Sequence, residues 1–111
     1  MSEVEMSYDR YLAELSNRFH GKVDVNLALK IMYLERKFPD VEPRVDIDIK
    51  TRSSVNNQKK AYEIQSRFGL STAIHDAVIF GSGRLDIENL VKLASNSDVE
   101  SIHGTASAAS Y

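Results

Sequence analysis

The 111-residue chain has no cysteine and no tryptophan. Without cysteine there are no disulfides, thiol nucleophiles or thiolate metal ligands, although this absence identifies no cellular compartment. Acidic and basic residues nearly balance, 16 against 14, and the formal net charge is −2. No basic stripe is available for phosphate backbones or anionic lipid, so we expect neither a nucleic acid nor a membrane partner.

Long apolar runs are missing as well. No stretch approaches the ~20 residues that span a bilayer, and the first ten residues are acidic and polar, unlike a signal peptide. The residues alone therefore leave the localisation unknown. The length and the 42 % of apolar residues predict one domain. Such a domain hides only about 60–65 % of its unfolded surface and is marginal unless other protein completes it.

The chain also lacks a recognisable catalytic or metal-binding pattern. His20, His75 and His103 are scattered and do not have the spacing of metal ligands. Asp46 and Asp48 share one face of a predicted strand, and a solvated surface explains them better than acid–base chemistry. We therefore expect no enzymatic activity, no cofactor and no metal ion from this chain.

Two helices are predicted before residue 40. Apolar side chains recur at helical spacing between a cap at Ser7 and a stop at Gly21. Asp24 is placed to cap a second, broadly apolar helix that ends before Pro39. We interpret residues 1–43 as a helical hairpin with a connector. A helix with apolar residues on more than one face must be covered by other protein, so the hairpin should pack on the remaining core or against a second chain. Self-association through these helices stays open.

From residue 44 onward, apolar side chains recur at every second position, as in a strand. Residues 44–50 alternate apolar and polar side chains, which predicts a strand with one wet face. A helix follows, with Ser53 or Ser54 as its cap and Gly69 at its left-handed end.

The second half continues with further short elements. Residues 70–85 predict two strands joined by a turn at His75-Asp76. Asp86 caps another helix, and residues 99–102 predict a last strand. The order β-α-β-β-α-β is that of a ferredoxin-like sandwich. We predict an α+β fold with an antiparallel sheet, preceded by a two-helix N-terminal extension.

Residues 83–102 resemble the second half of subtilisin-type propeptides, the inhibitor I9 family. The features that carry the resemblance are a helix with matching apolar spacing, an acidic turn, and a strand with Val99 and Ile102. The small-residue tail that ends in Tyr111 is similar to the ends of bacterial subtilisin propeptides. Ser97 departs from the family, which usually has proline in the acidic turn.

The resemblance covers residues 44–111 and leaves residues 1–40 without a counterpart. It implies a non-catalytic prodomain that assists the folding of a subtilisin-like serine protease and inhibits it as a product-like ligand. It divides the chain into the extension (1–43), the core (44–103) and an inhibitory tail (104–111). The same resemblance predicts secretion or export. It also predicts that the protease-facing side of the sheet stays free, so the hairpin should pack on the opposite, helical side of the core or against a second chain.

The resemblance also assigns roles to residues of the tail. Tyr111 would fill the primary specificity pocket of the protease. The residues that would occupy the neighbouring subsites of the cleft are Ser110, Ala109, Ala108 and Ser107. Thr105 is the candidate for a weak helix-capping contact, because the acids that the family carries nearby are absent. Gly104 is expected to let the chain leave the sheet.

Two alternatives remain open at this point. A free-standing protease inhibitor of the same family would have the same residues, and a coding sequence that continues into a protease after Tyr111 would distinguish the two. A ferredoxin-like regulatory or oligomerisation module with a disordered tail is the second alternative.

Overall fold

A computed structural model describes residues 3–108 of the chain. Within this part of the chain, four helices and four strands follow one another as α1 (Glu3–Arg18), α2 (Val25–Lys37), β1 (Arg44–Thr51), α3 (Asn57–Phe68), β2 (Ser71–His75), β3 (Val78–Arg84), α4 (Ile87–Ala94) and β4 (Val99–Ser107). The strands form one antiparallel sheet in the spatial order β2-β3-β1-β4. The fold is therefore α+β. None of the described helices is long and apolar enough to cross a membrane.

The core lies on one face of this sheet. Along β1 every second side chain is buried, beginning at Val45 and continuing through Ile47 and Ile49. These side chains belong to one buried cluster. The cluster also contains side chains of β3, β4 and all four helices, and Leu70, the residue directly before β2. We call this the inner face, and the opposite side the outer face.

The helical hairpin packs on the inner face and along one edge of the sheet. Leu27, Ala28 and Ile31 of α2 are fully or almost fully buried in the common core. The link between α1 and α2 runs beside β4: the Ile102 N–H donates to the Lys22 carbonyl at 2.8 Å, and the Asp24 N–H donates to the Ile102 carbonyl at 3.0 Å. The prediction that the hairpin lies on the helical side is confirmed.

A carboxylate of the hairpin also caps another helix. Glu35 of α2 accepts a hydrogen bond from the Ile87 N–H at 2.6 Å, at the start of α4. The N-cap residue Asp86 accepts from the Asn89 N–H at 2.8 Å. Negative charge is favourable at a helix N-terminus, where N–H groups lack partners. The hairpin is thereby attached to α4 as well as to β4.

Local signals predicted most helix ends correctly. Asp24 and Asp86 cap α2 and α4, and Gly69 closes α3 with a φ of +70°. Ser7 is not a cap, because α1 begins at Glu3 and Ser7 lies inside it. The residues before Ser7 are mostly good helix formers, so no local barrier stops the helix there.

The caps and turns around α3 differ from the prediction. Asn56, rather than Ser53 or Ser54, accepts from the Lys59 N–H at 3.2 Å. The residues before it form a turn that is bonded to the turn before β4, since the Arg52 N–H donates to the Asp98 carbonyl at 3.0 Å. The turn between β2 and β3 is Asp76-Ala77, one residue later than predicted. Both of its residues have positive φ, 51° and 64°, as a two-residue hairpin turn requires.

The predicted end of the last strand is wrong. β4 does not end at Ile102 but continues to Ser107, which pairs with Arg44 at the start of β1. Gly104 consequently does not release the chain from the sheet. It lies opposite Ile47 with a φ of +154°, and a Cβ there would overlap the Asp46 carbonyl oxygen. Glycine is needed because the two backbones approach closely.

Candidate functional site

The outer face of the sheet carries no helix in the part of the chain that the structure describes. Its side chains alternate with those that form the core. They are Ser71, Ala73 and His75 of β2, Val78, Phe80, Ser82 and Arg84 of β3, Arg44, Asp46, Asp48 and Lys50 of β1, and Ser101, His103, Thr105 and Ser107 of β4. The face is mostly polar and exposed, as the alternation of residues 44–50 predicts.

Phe80 is the large apolar side chain of this face. It lies in a row across the sheet between Ala73 on β2 and Asp48 on β1, with His103 beyond Asp48. Its side chain is 39 % exposed. A shallow depression of about 310 Å³ adjoins it and extends to Ser71 and Ser82. Phe80 and the adjoining depression are the main apolar feature of an otherwise polar face.

The charged groups of the outer face form a hydrogen-bonded surface. The Ser82 hydroxyl donates to the Asp46 carboxylate at 2.7 Å, and the Arg44 guanidinium donates to the Ser82 hydroxyl at 3.4 Å. All three side chains lie toward the solvent side of the sheet. Among residues 3–108, no three His, Asp or Glu side chains come together as a metal-binding group. The hydrogen bonds among Arg44, Ser82 and Asp46 join exposed polar side chains on a solvated surface.

The residues for which the resemblance implies protease contacts fall in different places. Thr105 lies on the outer face, exposed and directly opposite Asp46. Ser107 is the last residue of β4, and Ala108 follows the strand and is exposed. The remaining three residues, Ala109, Ser110 and Tyr111, lie outside the described part of the chain. The structure thus brings Thr105 and Ser107 onto the same face as Phe80.

A buried lysine forms a second polar cluster on the helical side. Lys60 of α3 has a side chain only 8 % exposed, and its ammonium group contacts Asp98 at 2.8 Å and Glu63 at 3.0 Å. Burial alone would lower the pKa of Lys60, but the hydrogen bonds to Asp98 and Glu63 outweigh it and raise the pKa above 10.5. The lysine stays charged and ties α3 to the turn before β4.

Sequence reasoning missed both Phe80 and Lys60. Gly81 and Gly83 interrupt the alternation in β3, so the outward direction of Phe80 could not be assigned from spacing. A lysine is usually exposed, and the partner that holds Lys60, Asp98, is distant in sequence.

Comparison with known proteins leaves the site to be interpreted from its own residues. No family model, curated protein or solved structure matches the chain. The outer face, β4 and the sequence of the tail are the features from which a function can be inferred.

Proposed function

We propose that the chain is the propeptide of a subtilisin-like serine protease and acts as an intramolecular chaperone and product-like inhibitor. The observation that carries this proposal is the open outer face, from whose edge strand β4 the chain passes directly into the tail. The described helices all contribute to the core on the other side. A partner protein can therefore contact the outer face and the tail together.

The topology supports the same assignment. From Arg44 onward the elements are β1, α3, β2, β3, α4 and β4, and the sheet order is β2-β3-β1-β4. We assign this arrangement to the ferredoxin-like sandwich that the resemblance implies. The hairpin of α1 and α2 is an addition that leaves the proposed contact surface uncovered.

The tail would bind as an extended strand in the protease cleft. Main-chain hydrogen bonds to the edges of the cleft supply affinity, while alternate side chains supply specificity. Ala108, Ala109 and Ser110 are small enough to let the backbone approach, and Tyr111 would be the aromatic anchor. Cleavage by the protease after Tyr111 would leave a carboxylate at the oxyanion donors, as in the acid product of a peptide hydrolysis.

The length of β4 limits how the tail reaches the cleft. Ser107 is still paired with Arg44, so four residues, 108–111, follow the last paired residue of β4. Four extended residues span about 13 Å. The end of β4 must therefore lie at the rim of the cleft, and Ser107 enters a subsite only if its pairing with Arg44 opens.

The outer face would contact the surface of the protease beside the cleft. Phe80 supplies the apolar anchor there. Thr105 supplies a hydroxyl to an unpaired helix N-terminus of the protease, and Asp46, directly opposite it, supplies a carboxylate. This cross-strand acid takes the place of the acids that are absent near Thr105 in sequence.

Binding of this kind accounts for both proposed activities. A ligand that binds the folded protease and not its unfolded chain stabilises the fold by mass action. The tail meanwhile occupies the cleft and prevents access of substrate.

The proposal is tested by titrating the purified chain into a broad-specificity subtilisin and measuring hydrolysis of a peptide substrate. We expect competitive inhibition in the nanomolar to micromolar range, roughly −12 to −8 kcal/mol. Full activity at high micromolar chain would refute the proposal and favour the regulatory or oligomerisation module.

Variants separate the two contact regions. Tyr111→Ala and Phe80→Lys should each weaken inhibition by about 30-fold, the effect of losing an anchor worth on the order of 2 kcal/mol. Tyr62→Lys is the matched control, because Tyr62 is 73 % exposed on α3, away from the outer face. Unchanged inhibition after deletion of residues 107–111 would exclude the product-like tail.

A further inference from the structure

The β2 strand forms a free edge of the sheet. It is the outermost strand, and among the described residues no backbone hydrogen bond reaches its outer side. Its five residues, Ser71–His75, include no lysine, arginine, acid or proline. These are the residue types that usually protect an exposed edge from pairing with another chain. The other edge, on β4, is partly covered by the link between α1 and α2.

The pairing register shows which backbone groups face the free edge. Ile102, Ile49, Ile79 and Ile74 form one row across the sheet. Both backbone groups of Ile102 bond outward to the α1–α2 link. Because the backbone N–H and carbonyl of one strand residue point to the same side, Ile102 does not bond to Ile49. Ile49 therefore bonds to Ile79 on its other side. The N–H and carbonyl of Ile74 are then left pointing to the free edge of the sheet. The N–H and carbonyl of Thr72, two residues away on the same strand, also point to the free edge.

Two copies of this edge are complementary to each other. If they pair antiparallel about Ala73, Thr72 of one copy lies opposite Ile74 of the other, and the two pairs share four N–H to carbonyl hydrogen bonds. On the outer face the two Ala73 methyl groups would lie opposite each other at the symmetry axis. Ser71 lies opposite the second copy's His75, so no like charges meet.

The side chains at the edge support the same pairing. Ile74 ends the row of buried isoleucines but is itself 41 % exposed. A second copy would cover it with the β-branched Thr72, a favourable cross-strand neighbour. On the outer face, Phe80 lies directly beside Ala73, so the two Phe80 rings would flank the symmetry axis.

We propose that β2 is a self-association edge, through which two copies of the chain form one continuous eight-stranded sheet. A single pair of five-residue strands buries little area, so the dimer is weak, with a dissociation constant of about 10 μM or higher. The proposal does not depend on protease binding, because it rests on the pairing register and the side chains of the β2 edge.

Sedimentation velocity on the full chain between about 10 μM and 1 mM tests the proposal. We expect a concentration-dependent dimer. Ile74→Pro removes one outward N–H and is tolerated at an edge strand, while Ile74→Lys places a charge there. Both variants should remain monomeric with unchanged circular dichroism. Tyr33→Lys, at a 45 % exposed position of α2, is the matched control and should dimerise like the parent chain.

Amide hydrogen exchange locates the contact independently of these variants. Exchange at Thr72 and Ile74 should slow as the concentration of the parent chain rises, with no change at Ala106 on the opposite edge. A chain that is monomeric at about 1 mM would overturn the proposal. Loss of the dimer in Tyr33→Lys but not in Ile74→Lys would overturn it as well and would assign association to the helical hairpin.

Discussion

Replacing Gly104 by alanine should destabilise the fold by several kcal/mol. Gly104 has a φ of +154°, which L residues rarely adopt. The new Cβ would overlap the Asp46 carbonyl oxygen and lie 2.7 Å from the Ile47 Cα. Both neighbours are backbone atoms of the central strand β1, so β4 has to move away. Backbone strain of about 1–3 kcal/mol and the weakening of strand hydrogen bonds, about 1 kcal/mol each, predict a total near 3 kcal/mol.

Gly69→Ala provides the matched control for this substitution. Gly69 also has a positive φ, +70°, but no atom lies within 4 Å of the position that its Cβ would take. Only the cost of the left-handed conformation remains, about 1 kcal/mol. The difference of about 2 kcal/mol should appear in urea unfolding, and in thermal unfolding as a melting temperature roughly 8 °C or more lower for Gly104→Ala.

Equal destabilisation by the two substitutions would refute this reasoning. It would mean that β4 is not held against β1 at Gly104 and that the strand ends near Ile102, where the apolar pattern ends. The end of β4 matters for the proposed function, because it sets how many residues follow the last paired residue and are available to reach the protease cleft.

Three further predictions concern the attachments of the helices. Because Glu35 accepts from the Ile87 N–H, Glu35→Ala should lower the free energy of unfolding by about 1 kcal/mol and Glu35→Gln by less. Equal stability of the parent chain and both variants in urea unfolding would exclude this cap. Lys60 has a pKa raised above 10.5, so its stabilising contribution is complete below that pH and is lost as the pH rises through the higher folded pKa. Stability should therefore fall above about pH 10.5 more steeply in the parent chain than in Lys60→Met, and parallel pH profiles would contradict the role of the lysine. Deleting residues 1–40 removes the buried side chains of α2, so it should lower the melting temperature or unfold the chain. An unchanged melting temperature, measured by circular dichroism, would show that the core folds without the hairpin.

Local interactions explain the features that the sequence predicted well. Asp24, Asp86 and Gly69 act on residues within one helical turn, so their effect can be read from neighbouring positions. The alternation in residues 44–50 likewise reports directly on the two faces of β1. The α+β class follows from these local signals.

Features that depend on distant residues were not predictable in the same way. β4 extends to Ser107 because Arg44, far away in sequence, offers it a partner. Asn56 caps α3 because the preceding turn is bonded to Asp98. The outward direction of Phe80 depends on the register of β3 with β1, which the glycines in β3 leave undetermined in the sequence.

The claim that the outer face and the tail form one contact surface is tested most directly by hydroxyl-radical footprinting. The chain is oxidised alone and in the presence of excess subtilisin whose catalytic serine is replaced by alanine, and side-chain oxidation is measured by mass spectrometry. Phe80, His103 and Tyr111 should be protected together, while Tyr33 and Tyr62 should be oxidised equally in both samples. Protection of Tyr33 without Phe80, or no protection at all, would contradict the account.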